Sequence, residues 1–283
     1  MSERKDVLLI NDLPGYGKMA LAAMIPVLSA KGIDVHTLPT ALISNTFGYG
    51  KYDLLDTTDY MKNTMQVWEE LGFTFDSIAT GFIASNEQVD LIKDFVQKQP
   101  NDVFVMVDPI MGDKGRLYKG VKEETVEHMR GLVGIADVVK ANYTEASFLI
   151  GETTPKETLT IEETGALAEK LREKGAKSVV ITSVPLDEDG QEQQAVYGYD
   201  AETEEDFFFP FEIKPVSFGG TGDIFSSVML AEKLNGKDLK TAVRKAMDAI
   251  EYLLDRHGEE ADTESLKGVY LEKHMGYFLK NSE

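Results

Sequence analysis

Short runs of branched apolar residues alternate with longer amphipathic segments through the first two thirds of this chain. Val7–Ile10, Asp34–Pro39, Ser77–Phe82, Val103–Asp108, Asp137–Ala141 and Ser178–Ser183 read as strands. Between them, Met19–Lys31, Tyr60–Leu71, Asn86–Lys98 and Ile161–Lys174 read as helices. Such alternation predicts an α/β fold: a mostly parallel sheet with helices on both faces. Strands this apolar suit burial on both sides. After residue 185 the rhythm changes. "PLDEDGQEQQAVYGYDAETEEDFFFPFEI" reads as a polar loop followed by a hairpin with an acidic turn, and helices return at Asp223–Leu234 and Leu239–Arg256. No internal repeat or linker interrupts the pattern, so one domain over residues 1–283 is expected.

The composition closes off several function classes. No apolar run reaches the roughly 18 residues of a membrane span. "MSERKDVLLIND" lacks the long apolar core and cleavage site of a signal peptide. There is no cysteine, which excludes disulfides and thiolate metal sites and points to the cytoplasm. The formal net charge of −20 opposes nucleic acid and anionic membranes, while leaving room for a small anion in a local site of backbone N–H groups and a metal ion.

The segment "NDLPGYGKMALAA" invites a phosphate-loop reading, because Gly15, Gly17 and Ala20 spell G-x-G-x-x-A. Both phosphate-loop spacings fail. Four residues separate Ile10 from Gly15, the second strand ends "TLPT" without an acid, and Met19 follows Lys18 where a P-loop needs Ser or Thr. Asn11 and Asp12 nevertheless lie just past a parallel strand's carboxyl end, where open α/β sheets bind ligands, and that suggests substrate rather than phosphate.

Four other segments carry candidate chemistry. In "SFGGTGDIFSSVMLAEKL", Gly219, Gly220, Thr221 and Gly222 lead into a helix near Asp223. Converging N–H groups and a helix start would form an anion hole for a migrating phosphoryl group, with Asp223 able to take a proton from a hydroxyl. The alternative is an Asp that merely caps the helix. In "VVKANYTEASFLIG", Asn142 and Glu145 have the spacing of a capping pair, and equally could hold Mg²⁺ through water. In "VFVMVDPIMGDKGRLY", Asp108 ends a strand and Asp113, Lys114 and Arg116 follow in a glycine-bearing loop; a plain turn would look the same. "VVITS" puts Thr182 and Ser183 at another strand end.

Taken in order, "ISNTFGYGKY" at 43–52, "DPIMGDKGRLY" at 108–118, "NYTE" at 142–145 and "GGTGD" at 219–223 resemble the ribokinase-like superfamily, and within it the pyridoxal (vitamin B6) kinases. The likeness runs from about Val7 to about Arg256. It implies a three-layer α/β/α fold, homodimers, and ATP-dependent phosphorylation of a pyridine 5′-hydroxymethyl group with Mg²⁺ and, in many members, a monovalent cation such as K⁺. By resemblance, Asp223 is the general base, and Gly220, Thr221 and Gly222 line the anion hole. Asn11, Thr46, Phe47 and Phe82 fall on the pyridine side. Asp113, Lys140, Thr182 and Ser183 fall on the nucleotide side, with Asp108, Asn142 and Glu145 at the metal. Many relatives have Ser at the position of Asn11, Ser-Asn-His-Thr in place of Ser44-Asn45-Thr46-Phe47, and Tyr at Phe82. Phe47 cannot donate a hydrogen bond but can stack. These departures bear on substrate preference and leave the phosphate machinery intact. Three alternatives remain open: a hydroxymethylpyrimidine kinase, whose branch typically carries Cys at Asp223; a sugar or nucleoside kinase; and a non-catalytic B6-binding protein on the same fold.

Overall fold

The first apolar run becomes β1 (Asp6–Pro14), in which Val7, Leu8, Leu9 and Ile10 have no exposed surface. The computed structural model describes residues 4–118, 121–153, 155–188, 191–214, 218–257 and 265–280. By its internal contacts the chain forms two units, Met1–Val103 with Lys214–Glu283, and Phe104–Ile213.

In the first unit, β1 leads into α1 (Leu21–Ala30), β2 (Asp34–Ile43), a 3₁₀ turn at Phe47–Tyr49, β3 (Leu54–Asp56), α2 (Thr58–Leu71), β4 (Ser77–Thr80) and α3 (Asn86–Gln97). β2 and β4 flank β1, both parallel to it, and β3 closes the edge antiparallel to β2. Ser85 starts α3 by accepting a hydrogen bond from Gln88 N–H at 3.3 Å. Trp68 of α2 meets Phe75 edge-on at 5.8 Å and lies 6.4 Å from Phe95 of α3, which makes it a packing residue.

The second unit contains β5 (Phe104–Val107), the small hairpin β6 (Gly112–Asp113) and β7 (Arg116–Leu117), α4 (Glu124–Val133), β8 (Val138–Asn142), α5 (Tyr143–Ile150), α6 (Ile161–Glu173), β9 (Ser178–Glu188), β10 (Gln191–Asp200) and β11 (Glu205–Phe211). Strands β5, β8 and β9 are parallel; β10 and β11 extend the sheet antiparallel. The chain then returns to the first unit through α7 (Thr221–Leu234), α8 (Leu239–His257) and α9 (Leu271–Lys280). The α/β class and the mostly parallel strands are as expected.

Two expectations need correction. Ser183 does not end its strand: β9 runs on to Glu188 and pairs with β10, so Pro185–Glu188 are strand rather than polar loop. Asp189 and Gly190 lie outside the described residues. What changes near Thr182 is the pairing. The parallel ladder with β8 ends at Asn142 and Thr182, and a register shift follows against β10 between Ala195 and Tyr197. Ser183 takes φ 55° there, the left-handed backbone of a bulge. β1 likewise outruns its apolar core. It continues to Pro14 through a register shift in which Asp12 lies opposite both Thr40 and Ala41, so the extra residue belongs to β2.

Candidate active site

In the first unit, candidate residues gather around the start of α7. Gly220 sits at the helix N-cap with φ 85°, and a Cβ there would lie 2.2 Å from the carbonyl oxygen of Lys18. Only glycine permits both that backbone and that approach. Thr221 begins the helix and donates its hydroxyl to the Phe218 carbonyl at 3.2 Å. Asp223 is three residues into the helix and buried, and the cap makes no side-chain hydrogen bond. The Asp223 carboxylate instead accepts the backbone N–H of Ala20, at Oδ2, over 2.9 Å. Ala20 caps α1 in a conformation, φ 46° and ψ −132°, that non-glycine residues seldom adopt. Such strain costs about 1–3 kcal/mol and needs a reason; here it aims an amide at Asp223.

The opening segment is therefore scaffold for this carboxylate. Lys18 donates its own N–H to the Lys267 carbonyl at 2.7 Å, and its ammonium pairs with Glu272 of α9 at 2.8 Å. At the far end of α1, buried Lys31 meets buried Glu232 of α7 at 2.6 Å. The two helices are thus tied at both ends, Ala20 to Asp223 and Lys31 to Glu232.

The expected pyridine-side residues cluster in the same unit. Phe47 stands edge-on to Phe82 at 6.0 Å and to Tyr52 at 4.6 Å. Thr46 and Phe47 adjoin a cavity of about 530 Å³ lined by Tyr16, Ser44, Asn45, Tyr49, Lys51, Tyr52 and Asp53, a size suited to a small aromatic ligand. Asn11 behaves differently. It is buried, its Oδ1 accepts the N–H groups of Asp12 (2.9 Å) and Phe82 (2.8 Å), and its Nδ2 points at the Met24 sulfur at 3.6 Å. Gly81 leaves space for it, since a Cβ there would come within 2.3 Å of Asn11 Cγ. Asn11 is a bracket that sets Asp12 and Phe82. Burial and the charge of Asp223 push the Asp12 carboxyl up to about 7.

The second unit gathers the residues expected on the nucleotide and metal side. Asp108 follows β5 and accepts from Lys140 Nζ of β8 at 2.9 Å, both side chains being 6 % exposed. Asn142 and Glu145 form a capping box on α5. Asn142 Oδ1 accepts Glu145 N–H, and Glu145 Oε2 accepts Asn142 N–H, each at 2.9 Å. Glu145 Oε1 also accepts Met111 N–H at 3.1 Å, and Asn142 Nδ2 donates to the Gly112 carbonyl at 2.7 Å. The β6–β7 turn carries Asp113, whose Oδ1 accepts Lys114 N–H at 2.8 Å, and it docks through Gly115 N–H on the Thr144 hydroxyl at 2.9 Å. Three of the four sequence segments are therefore joined here: the Asp108–Tyr118 loop, the start of α5, and Thr182 through its register with Asn142.

Electrostatics distinguish the cluster in this second unit. Burial, then the charge of Asp108, push the Glu145 carboxyl up to about 8 against the opposing Lys140 ammonium. Two buried carboxyls facing one ammonium fit a divalent cation. Among the described residues no group of three or more His, Cys, Asp or Glu could hold one alone, so water and nucleotide phosphates would complete the shell, as Mg²⁺ prefers. Among the described residues, also, no helix is long and apolar enough to cross a membrane.

Fold and glycine turn are those of the ribokinase-like small-molecule kinases. Within that class the chain belongs to the phosphomethylpyrimidine kinase family, which matches residues 21–265. A pyridoxal kinase of Actinobacillus pleuropneumoniae is 27% identical over 282 residues, covering 94% of this chain and 91% of the relative. The crystal structure of a Bacteroides thetaiotaomicron protein assigned as a phosphomethylpyrimidine kinase, in a form with pyridoxal, superposes with a TM-score of 0.90 at 33% identity, covering 98% of this chain and 96% of that one. The pyridoxal kinase of Leishmania donovani in complex with ADP and pyridoxamine matches with a TM-score of 0.82 at 25% identity, covering 97% and 95%.

Asp12 and Ala20 are the site residues that sequence reasoning under-read. Asp12 is legible in the sequence as an acid at a strand end; the register shift opposite it, with its extra residue on β2, is not. Ala20 was visible only as the last letter of a glycine motif.

Proposed function

We propose that this protein transfers the γ-phosphoryl group of ATP to the 5′-hydroxymethyl oxygen of a B6 vitamer, with Asp223 as the general base. As the new oxygen–phosphorus bond forms, Asp223 takes the hydroxyl proton and ADP leaves with the bridging oxygen. The N–H groups of Gly220, Thr221 and Gly222 bind the equatorial oxygens of the migrating group. Thr46, Phe47 and Phe82 hold the ring, and Asn11 acts by fixing the backbone at Phe82. Lys140, Asp113, Thr182 and Ser183 serve the nucleotide. Asp108, Asn142 and Glu145 would hold Mg²⁺, which when bound neutralises phosphate charge. What carries this reading is Asp223: a buried carboxylate in the first turn of α7, held by an amide from a strained Ala20.

The test is ADP release in a coupled assay across pyridoxal, pyridoxamine, pyridoxine and hydroxymethylpyrimidine. At least one vitamer is expected to turn over faster than the pyrimidine. The family match favours the pyrimidine as the second reading, and turnover of the pyrimidine alone would establish it instead.

A further inference from the structure

Phe82 is held by its backbone on both sides. Its N–H donates to buried Asn11 Oδ1 at 2.8 Å, and its carbonyl accepts the hydroxyl of Thr40 at 2.7 Å. Thr40 has no exposed surface and lies on β2, while Phe82 follows β4; β1 runs between those two strands. Residues two strands apart in a regular sheet stand roughly 9–10 Å from one another, so a regular register does not supply this contact. The β2 bulge falls at this point: Thr40 and Ala41 together face Asp12, and an extra residue in a strand re-aims the side chains around it. Gln88 of α3, also without exposed surface, fixes Thr40 in turn. Its Nε2 donates to the Thr40 carbonyl at 2.8 Å, and its Oε1 accepts Ala84 N–H at 2.9 Å. Thr40 and the stretch 82–84 therefore share one hydrogen-bond network.

The consequence falls on the Phe82 ring. A phenyl group has no polar handle and offers an acceptor only its faces and edge, so its contribution depends on where the ring stands. Backbone placement and two side-chain torsions set that position. The ring is partly exposed and meets Phe47 edge-on at 6.0 Å. Phe47 in turn meets Tyr52, a wall of the cavity of about 530 Å³, at 4.6 Å. We propose that Thr40 is a positioning residue for the acceptor: its hydroxyl, by holding the Phe82 carbonyl, fixes the Phe82 ring against Phe47 and so sets how tightly an aromatic acceptor is bound. This rests on the B6 kinase reading, which places Phe47 and Phe82 on the ring side, and adds to it the residue that holds Phe82 in place. Removing the hydroxyl leaves the Phe82 carbonyl without this partner, a loss large enough to shift acceptor affinity by about tenfold.

The experiment is calorimetric titration of pyridoxal into the wild type, Thr40→Val and Thr40→Ser, with an unhydrolysable ATP analogue titrated in parallel. Val keeps the shape and removes the hydroxyl; Ser keeps the hydroxyl. The pyridoxal Kd is expected to rise by about tenfold in Thr40→Val and to return to within about threefold of the wild type in Thr40→Ser, with the nucleotide Kd unmoved. A Phe82→Ala background has no ring to position, and there Thr40→Val should change the pyridoxal Kd by less than about twofold, which a purely structural role would not produce. A pyridoxal Kd unchanged within about twofold in Thr40→Val, an equal weakening of both ligands, or the same loss in the Phe82→Ala background overturns the proposal. If Thr40→Val does not fold, Thr40→Ala is read by the same criteria. Binding by the wild type tests the B6 kinase reading separately. If the wild type binds hydroxymethylpyrimidine and no vitamer, that reading fails, and the same ratios measured with the pyrimidine decide Thr40. If it binds neither ring, both fail.

Discussion

Helices α5 and α7 both carry an acid at their third position, and in sequence the two starts look alike. At α5 the cap is Asn142, and Glu145 closes a reciprocal capping box with it, so its oxygens are taken by the N–H groups of Asn142 and Met111. At α7 the cap is Gly220, which has no side chain to reciprocate, and Asp223 accepts from Ala20 across 203 positions of sequence. The same residue class at the same helical position thus bonds local backbone in one case and the backbone of a distant segment in the other. The cap residue decides which. A carboxylate beside an Asn or Thr cap satisfies its own helix; beside a glycine cap it is available elsewhere.

The largest way to break this contrast is at the glycine. Gly220→Ala forces a Cβ onto the Lys18 carbonyl at a backbone angle of φ 85°. Destabilisation of about 3 kcal/mol or more is expected, read as a lowered urea midpoint; an unshifted midpoint would mean the turn does not need glycine. Next comes the buried pair of the second unit. Lys140→Met leaves Asp108 buried without its 2.9 Å partner and close to Glu145. A loss of about 3–5 kcal/mol is typical when one member of such a pair is removed, and denaturant unfolding would show it.

A smaller effect sharpens the α5 side. Asn142→Ala removes one half of the capping box and the contact to the Gly112 carbonyl. A cost of about 1 kcal/mol is expected for the cap, seen as a lower thermal midpoint with no ligand added. The smallest effect is a tilt with pH. The Asp12 carboxyl rises from 3.8 to about 7 in the folded chain. A raised folded value means that the native state holds the proton longer than the unfolded one. Its stabilising contribution is complete below 3.8 and is lost as pH climbs toward 7. Asp12→Asn has no such proton to lose, so the midpoint of the variant should gain on the wild type as pH rises through that window. Parallel curves would show that Asp12 titrates normally.

How far the sequence reveals this molecule follows the same physics. Buried strands announce themselves through branched apolar runs, and β1, β2, β4, β5 and β8 begin within a residue of where Val7–Ile10, Asp34–Pro39, Ser77–Phe82, Val103–Asp108 and Asp137–Ala141 place them. Their ends are less legible. β1 continues past a bulge in its partner β2, at Thr40 and Ala41, β9 continues through one near Ser183, and a bulge leaves no mark on hydrophobic periodicity. The glycine turn was legible because Gly220 must be glycine. The contacts of Asn11 were not, because Phe82 N–H and the space left by Gly81 both lie some 70 positions away. The hydrogen bond from Ala20 to Asp223 is likewise a tertiary contact that no local motif encodes.

The most direct measurement of the central claim is single-turnover phosphorylation of pyridoxal with MgATP by wild type and Asp223→Asn, with pyridoxal binding measured in parallel. The variant should bind pyridoxal about as well as the wild type and form product roughly a hundredfold or more slowly, in the range for a lost general base. Product formation by Asp223→Asn at the wild-type rate would contradict the assignment.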